Sequence, residues 1–209
     1  MRVVLVAWNS PEGADLKRLI LLAVKTSQGK LSSRSLDHYL RNYPEEDVRN
    51  WLVEAVKFPS VLEHVVFTFL IEGISRVTSH QLVRHRIASY TQESQRYSEA
   101  RFEYVVPETV KVRGFEERFR SVVDELFRFY KEMVDSGVPY EDARYILPQA
   151  VTTRILMTVN LRELIHIACL RLSEKAQWEI KELVSKMVEE ATRVVPELPD
   201  LVRSVCSQS

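Results

Sequence analysis

Gly73-Ile74-Ser75-Arg76-Val77-Thr78-Ser79-His80-Gln81-Leu82-Val83-Arg84-His85-Arg86-Ile87-Ala88-Ser89-Tyr90-Thr91-Gln92-Glu93-Ser94-Gln95-Arg96-Tyr97 is the stretch where the character of the chain changes. It follows an apolar, β-branched run from Val65 to Ile71 that reads as a strand, and polar density rises abruptly where that run ends. If Ser75 to His85 is helical, Arg76, His80 and Arg84 stand four residues apart on one face, with Gln81 beside Arg84. A solvated basic helix would account for Arg84, His85 and Arg86 taken alone. The donors continue, however, through Gln92, Ser94, Gln95 and Arg96 without the Lys/Glu mixture of an ordinary surface. Arginine is the side chain whose planar fork grips phosphate at two points, so the run suits an anionic ligand with a polar ring.

Outward from this segment, two more β-branched stretches, Val3 to Trp8 and Val151 to Val159, are expected to share a sheet with Val65 to Ile71. Apolar residues recur at helical spacing in Val48, Trp51, Leu52, Ala55 and Val56, and again from Phe115 through Phe119, Val122, Val123, Leu126 and Phe127 to Tyr130. A third set, Ile180, Leu183, Val184, Met187, Val188 and Ala191, keeps the period until Pro196 interrupts it. No internal repeat, low-complexity tract or Pro/Ser/Gly-rich linker invites a second domain. The expectation is an α+β chain, one domain over residues 1–209, with helices packed on a mostly antiparallel central sheet.

A chain of 209 residues buries roughly 70% of the surface its unfolded form exposes. Its 29 basic residues balance 29 acidic ones, so there is no global positive field to hold nucleic acid or an anionic membrane, and anion binding must be local. The apolar N-terminal run is too short for a signal peptide or a span, which leads to the expectation of a cytoplasmic protein without membrane contact. Glycine is scarce, and neither GxGxxG nor GxxxxGK[ST] is present, so side chains must supply much of any grip on phosphate. The two cysteines, Cys169 and Cys206, form neither a disulfide framework nor a CxxC metal site on sequence grounds. Cys169, among Ile167, Ala168 and Leu170, reads as a small buried hydrophobe.

Arg84-His85-Arg86, seven residues, then Ser94 resembles the RHRx7S signature of the flavin-dependent thymidylate synthase family, and Gln95-Arg96-Tyr97 continues the likeness. Upstream, Ser60-Val61-Leu62-Glu63-His64 resembles the family's HxSxxEH element. Downstream, Ala143-Arg144-Tyr145-Ile146-Leu147-Pro148, Thr158-Val159-Asn160-Leu161-Arg162, and Leu170-Arg171 before Ala176-Gln177-Trp178-Glu179-Ile180 follow the family's C-terminal half in order. The resemblance covers about residues 58 to 180. Two positions depart from it: Phe58 stands where the first His of HxSxxEH is usual, removing a polar contact near the flavin. Ala23-Val24-Lys25-Thr26-Ser27 is a loose counterpart of the A-R-x-S/C element, with Lys25 in place of Arg, and carries no transferred role.

The resemblance implies the family's fold and its reaction, in which dUMP accepts a methylene group from 5,10-methylenetetrahydrofolate, reduced FAD supplies hydride and NADPH regenerates it. It implies flavin binding by Ser60, Arg84, His85, Arg86, Gln92, Asn160, Arg162 and His166. Gln81, Ser94, Gln95, Arg96, Arg144 and Arg171 would hold dUMP, with Arg84 and Gln92 counted on both sides. Arg171 would be catalytic, a fixed cation beside the pyrimidine that stabilises negative charge as carbon 5 becomes nucleophilic. Ser94 has no evident base and is assigned to binding. His64 reads equally well as a satisfied core histidine or as a direct ligand.

On a helix starting near Asn160, about 100° per residue puts Asn160 and Arg171 on one face and Arg162 and His166 on the other. One helix does not readily present both faces to one compact pocket, so the two faces are expected to serve ligands in sites shared between subunits, in keeping with the family's homotetramer. Competing readings are a flavoprotein with another acceptor, and a nucleic-acid module using Arg84, Arg86, Arg96 and Arg101 with Tyr90, Tyr97 and Tyr104 as stacking platforms. A metal site from His64, His80 and His85 lacks a recognisable ligand spacing, so no metal is expected.

Overall fold

The three β-branched runs form strands, and a fourth, polar strand joins them. The computed structural model describes residues 1–207. In chain order its elements are β1 (Arg2–Trp8), α1 (Lys17–Ser27), α2 (Glu45–Glu54), β2 (Val66–Ser75), α3 (Arg76–Leu82), β3 (Ala88–Gln92), α4 (Glu108–Val112), α5 (Glu116–Asp135), α6 (Tyr140–Ala143), β4 (Thr152–Asn160), α7 (Leu161–Arg171), α8 (Trp178–Thr192) and α9 (Leu198–Cys206). Short turns of 3₁₀ helix, among them Pro59–His64, link them.

The strands make one sheet in the order β1-β2-β4-β3. Its antiparallel register follows from the pairs: Asn9 N–H donates to Val66 O, Thr68 Oγ1 meets Thr158 Oγ1 at 3.0 Å, and Arg76 N–H donates to Val151 O. At the far edge Glu93 N–H donates to Arg154 O. The α+β class with an antiparallel sheet is therefore as expected. The strand β3 was not legible by hydrophobicity, because Ser89, Tyr90, Thr91 and Gln92 offer no apolar alternation. It owes its place to backbone pairing with β4.

The chain forms two compact units, each gathered from separated stretches: one from 1–2, 71–84 and 91–155, the other from 3–70, 85–90 and from 156 onward. In the first, Val123 and Phe127 of α5 pack with Val151, while Tyr130 is buried with Ala100 and Ala143 and accepts the Ala100 N–H at 3.1 Å. Gly73 sits in β2 at φ +72°, a left-handed conformation that bends the strand just before α3 at little cost to glycine.

In the second unit α7 carries buried Leu161, Leu164, Ile165, Ile167 and Ala168, apolar nearly all round, as befits a helix enclosed by neighbours. It packs on α8 and α9. Lys25, in the loose counterpart of the A-R-x-S/C element, is buried on α1 with Nζ 4.0 Å from the Trp51 ring centroid, a cation–π contact that makes it part of the α1/α2 packing.

One expectation is overturned here. Cys169 on α7 and Cys206 at the end of α9 are joined by a disulfide, with Cα atoms 5.1 Å apart, so Cys169 is not an unpaired hydrophobe. The separation of 37 positions between the cysteines carries no local signal of this pairing. It arises because a new helix begins after Pro196 and packs α9 on α7.

Candidate active site

Ser75 caps α3: its Oγ accepts the Thr78 N–H at 3.1 Å, which starts the helix as soon as β2 ends. The helix is shorter than the spacing predicts. It stops at Leu82, so Arg84 lies beyond its end rather than on the face of Arg76 and His80. Arg84 is exposed, Gln81 half-buried.

In the first unit, Arg76, His80, Gln95, Arg144 and Gln149 line a cavity of about 470 Å³. Gln95 and Arg144, assigned to substrate from sequence, thus meet across 49 residues of chain. Arg96 donates from Nε and Nη2 to the Glu141 carboxylate at 2.9 and 2.8 Å, and Arg144 Nε donates to the Glu141 carbonyl at 3.0 Å. Ser94 Oγ accepts the Arg96 N–H at 3.2 Å. Gln92 on β3 donates through Nε2 to Ser79 Oγ at 3.0 Å and to Thr153 Oγ1 at 3.2 Å. Both amide hydrogens are thereby engaged, and the side chain presents its carbonyl as an acceptor.

Arg76 is the residue this unit adds. Its Nη2 donates to the Glu93 carbonyl at 3.0 Å, while its Nε is buried with no hydrogen-bond partner among the described residues. Burial lowers its pKa, Glu93 opposes that, and Arg144 adds to it. A half-buried guanidinium with an unspent donor beside a second cation is a place for an anion. Spacing puts Arg76 and His80 on one helical face, yet only burial singles out Arg76.

The second unit holds Ser60, His85, Arg86, Asn160, Arg162, His166 and Arg171. Ser60 is exposed on the Pro59–His64 turn, and Arg86 is exposed with no ion-pair partner among the described residues. His64 is exposed as well, which removes the core-histidine reading; its backbone carbonyl accepts Asn9 Nδ2 at 2.7 Å. Asn160 is the N-cap of α7, its Oδ1 accepting the Glu163 N–H at 2.9 Å, so one acceptor position of that oxygen is used. Arg162 pairs with Glu63 of the HxSxxEH-like element. Arg162, His166 and Cys169 line a cavity of about 290 Å³ with Pro59 and Leu62. Phe58, at the departure from that element, is 55% exposed and offers only apolar contact.

His85 is the centre of this unit's polar cluster. It is buried, its Nε2 accepts Arg171 Nε–H at 3.0 Å, and its ring centroid lies 6.3 Å from that of His166. Glu163 Oε1 stands 3.7 Å from His85 Nδ1, and Tyr90 Oη donates to the His85 carbonyl at 2.8 Å. Burial, then the charges of Arg171 and His166, hold the His85 pKa down at about 4, so the imidazole is neutral at physiological pH. Burial raises the Glu163 carboxyl, against the opposing pull of His166 and Arg162; burial, helped by Glu163, also raises the Tyr90 phenol.

The expected division of α7 into two faces does not hold. Asn160 stands outside the helix as its cap, and Arg171 and His166 both adjoin His85. A long arginine side chain reaches well beyond its Cα position, so Cα geometry alone does not settle which groups it meets. Ligating atoms of His85, Glu163 and His166 lie within 4.8 Å of one another, a trio other than the histidines weighed from sequence. Arg171 already engages one His85 nitrogen and brings positive charge to the spot.

The family model described as thymidylate synthase complementing protein matches residues 12–197. A flavin-dependent thymidylate synthase of Sulfolobus acidocaldarius is 41% identical over 204 residues, covering 95% of this chain and 75% of that one. One of Pyrococcus furiosus is 45% identical over 201 residues, covering 92% and 80%. Among solved structures, a UMP/dUMP methylase PolB from Streptomyces cacaoi bound with 5-Br dUMP superposes with a TM-score of 0.80 over 97% of this chain and 94% of that one, at 22% identity, a likeness of fold. The arginine-rich segment and the C-terminal half that place Arg171 on His85 lie inside the matched region, and the chain belongs to the thymidylate synthase complementing protein family.

Proposed function

We propose that this chain is a flavin-dependent thymidylate synthase that methylates dUMP reductively to dTMP, with 5,10-methylenetetrahydrofolate as carbon donor, FAD as cofactor and NADPH as reductant. One observation carries the reading: Arg171, assigned to the pyrimidine, donates directly to His85 of the RHRx7S signature, 86 residues away in sequence. On these assignments one substrate residue and one cofactor residue adjoin, which supports transfer between two bound molecules.

The residues fit the groups assigned to them. The unpaired guanidiniums of Arg84 and Arg86, with Ser60, Asn160, Arg162 and His166, would hold the flavin. Gln81, Gln92, Ser94, Gln95, Arg96 and Arg144 would hold dUMP, and the half-buried Arg76 guanidinium, which lines the same cavity as Arg144, suits its phosphate. When bound, the flavin supplies hydride. Arg171 supplies a fixed positive charge beside the pyrimidine, where charge develops, and needs no proton transfer to do so. Both cysteines are tied in the disulfide, which leaves no thiol to attack uracil and agrees with a mechanism without a cysteine nucleophile.

We further take residues 1–209 as one catalytic domain, acting in the cytoplasm as a homotetramer with shared sites, without nucleic acid or membrane partners. The exposed apolar residues Val6, Trp8 and Leu156 on the sheet support assembly. No helix among the described residues is long and apolar enough to cross a membrane. The test is the absorption spectrum of the purified protein, followed by dUMP-dependent reoxidation of reduced flavin with the folate present. A flavin band and dTMP are expected; a colourless protein, or flavin turnover without dTMP, would overturn the reading.

A further inference from the structure

We propose that Glu163 is a positioning residue for Arg171, acting through His85 by fixing which imidazole nitrogen carries the proton. The proposal rests on the assignment of Arg171 to the pyrimidine. Arg171 Nε–H donates to His85 Nε2 at 3.0 Å. A guanidinium has donors only and keeps its charge, so Nε2 must present its lone pair. In a neutral imidazole the proton then sits on Nδ1.

Nδ1 is the atom that faces Glu163, whose Oε1 is 3.7 Å away. That distance exceeds a direct hydrogen bond, so the carboxylate acts through its field. The field is strong here because the two side chains are only 5% and 8% exposed, and water screens little. Negative charge opposite Nδ1 favours the Nδ1–H tautomer. The other tautomer would set an N–H of His85 against the N–H of Arg171 and drive the guanidinium off its seat.

The fold builds this arrangement deliberately from separate parts. Glu163 is in the first turn of α7, where Asn160 caps its backbone N–H and the helix dipole favours an anion. Arg171 ends the same helix. His85 comes from the signature segment and is tied at its carbonyl by Tyr90 Oη at 2.8 Å. With Nε held, the terminal nitrogens of Arg171 keep one orientation toward a bound ring. A buried glutamate with no direct hydrogen bond to its carboxylate among the described residues is otherwise a cost to the fold.

Histidine-labelled ¹⁵N spectra test this, since the two tautomers differ in nitrogen shift and the chain has five histidines. The His85 signal is identified by its loss in His85→Gln. The native protein should show Nδ1–H at His85. Glu163→Leu should shift that signal toward Nε2–H and lower kcat about tenfold with flavin still bound, whereas Glu163→Gln, which keeps a carbonyl acceptor, should restore the tautomer and stay within about threefold of native kcat. Nε2–H at His85 in the native protein would overturn the proposal even if Glu163→Leu does not fold. An unchanged tautomer or unchanged kcat in Glu163→Leu would do so too, and so would a Glu163→Gln enzyme as slow as the Leu variant. Native turnover in Arg171→Ala would instead remove the underlying assignment, and the tautomer readout tells the two failures apart.

Discussion

Arg171 and His85 meet nitrogen to nitrogen, Nε to Nε2 at 3.0 Å, which makes a buried neutral histidine the seat of a permanent cation. A histidine whose folded pKa is lowered from 6.5 to about 4 stabilises the fold above its unfolded value, and that contribution is lost as pH falls from about 6.5 to about 4. The loss should be on the order of 3 kcal/mol. Glu163, with its carboxyl raised by burial, works in the opposite sense: its contribution is present at low pH and is lost as pH rises through its folded value. Urea denaturation of the native protein and of His85→Gln at pH 7 and pH 4.5 separates the two, because Glu163 is common to both. The native protein should lose more stability between these values; equal losses would place the acid sensitivity elsewhere.

Arg171→Ala should abolish dTMP formation while flavin stays bound, because its assigned contact is to the pyrimidine. Arg86→Ala should lower flavin occupancy first. Parallel measurement of turnover and bound flavin in the two variants decides the assignments, and unchanged flavin affinity in Arg86→Ala would move that residue out of the flavin site.

Arg76→Met keeps an apolar stem but removes the guanidinium that donates to the Glu93 carbonyl. Loss of a charge-assisted contact predicts dUMP binding weaker by about 10- to 100-fold, with flavin affinity unchanged. Equilibrium titration with dUMP checks it; unaltered affinity would mean that the unspent Nε serves no ligand.

Joining positions 37 residues apart, the Cys169–Cys206 disulfide restricts the unfolded chain by an amount worth about 4 kcal/mol in the loop-entropy account. Cys206→Ser should therefore lower the denaturation midpoint, and a thiol reductant should do the same to the native protein but not to the variant. A variant as stable as the native protein would show that α9 is held by packing alone.

Much of this was open to reading along the chain. Val3 to Trp8, Val65 to Ile71 and Val151 to Val159 announce strands by their β-branched crowding, and Phe115 to Tyr130 and Ile180 to Ala191 announce helices by their period. The arginine-rich segment with Ser94, and the ordered matches through Arg171, identify the family, because residue type and spacing are local properties that need no partner to be seen. Other features exist only through partners distant in sequence. The polar strand β3 depends on pairing with β4, the disulfide on α9 packing against α7, and the standing of Arg76 on being enclosed beside Arg144. Glu163 reads as an ordinary first-turn glutamate until the fold sets it opposite His85 and away from water. The sequence by itself determined which elements form and which chemistry the chain carries. Only the tertiary structure decided which side chains are desolvated and what each of them faces, since burial and electrostatic coupling are set by contacts across the chain rather than along it.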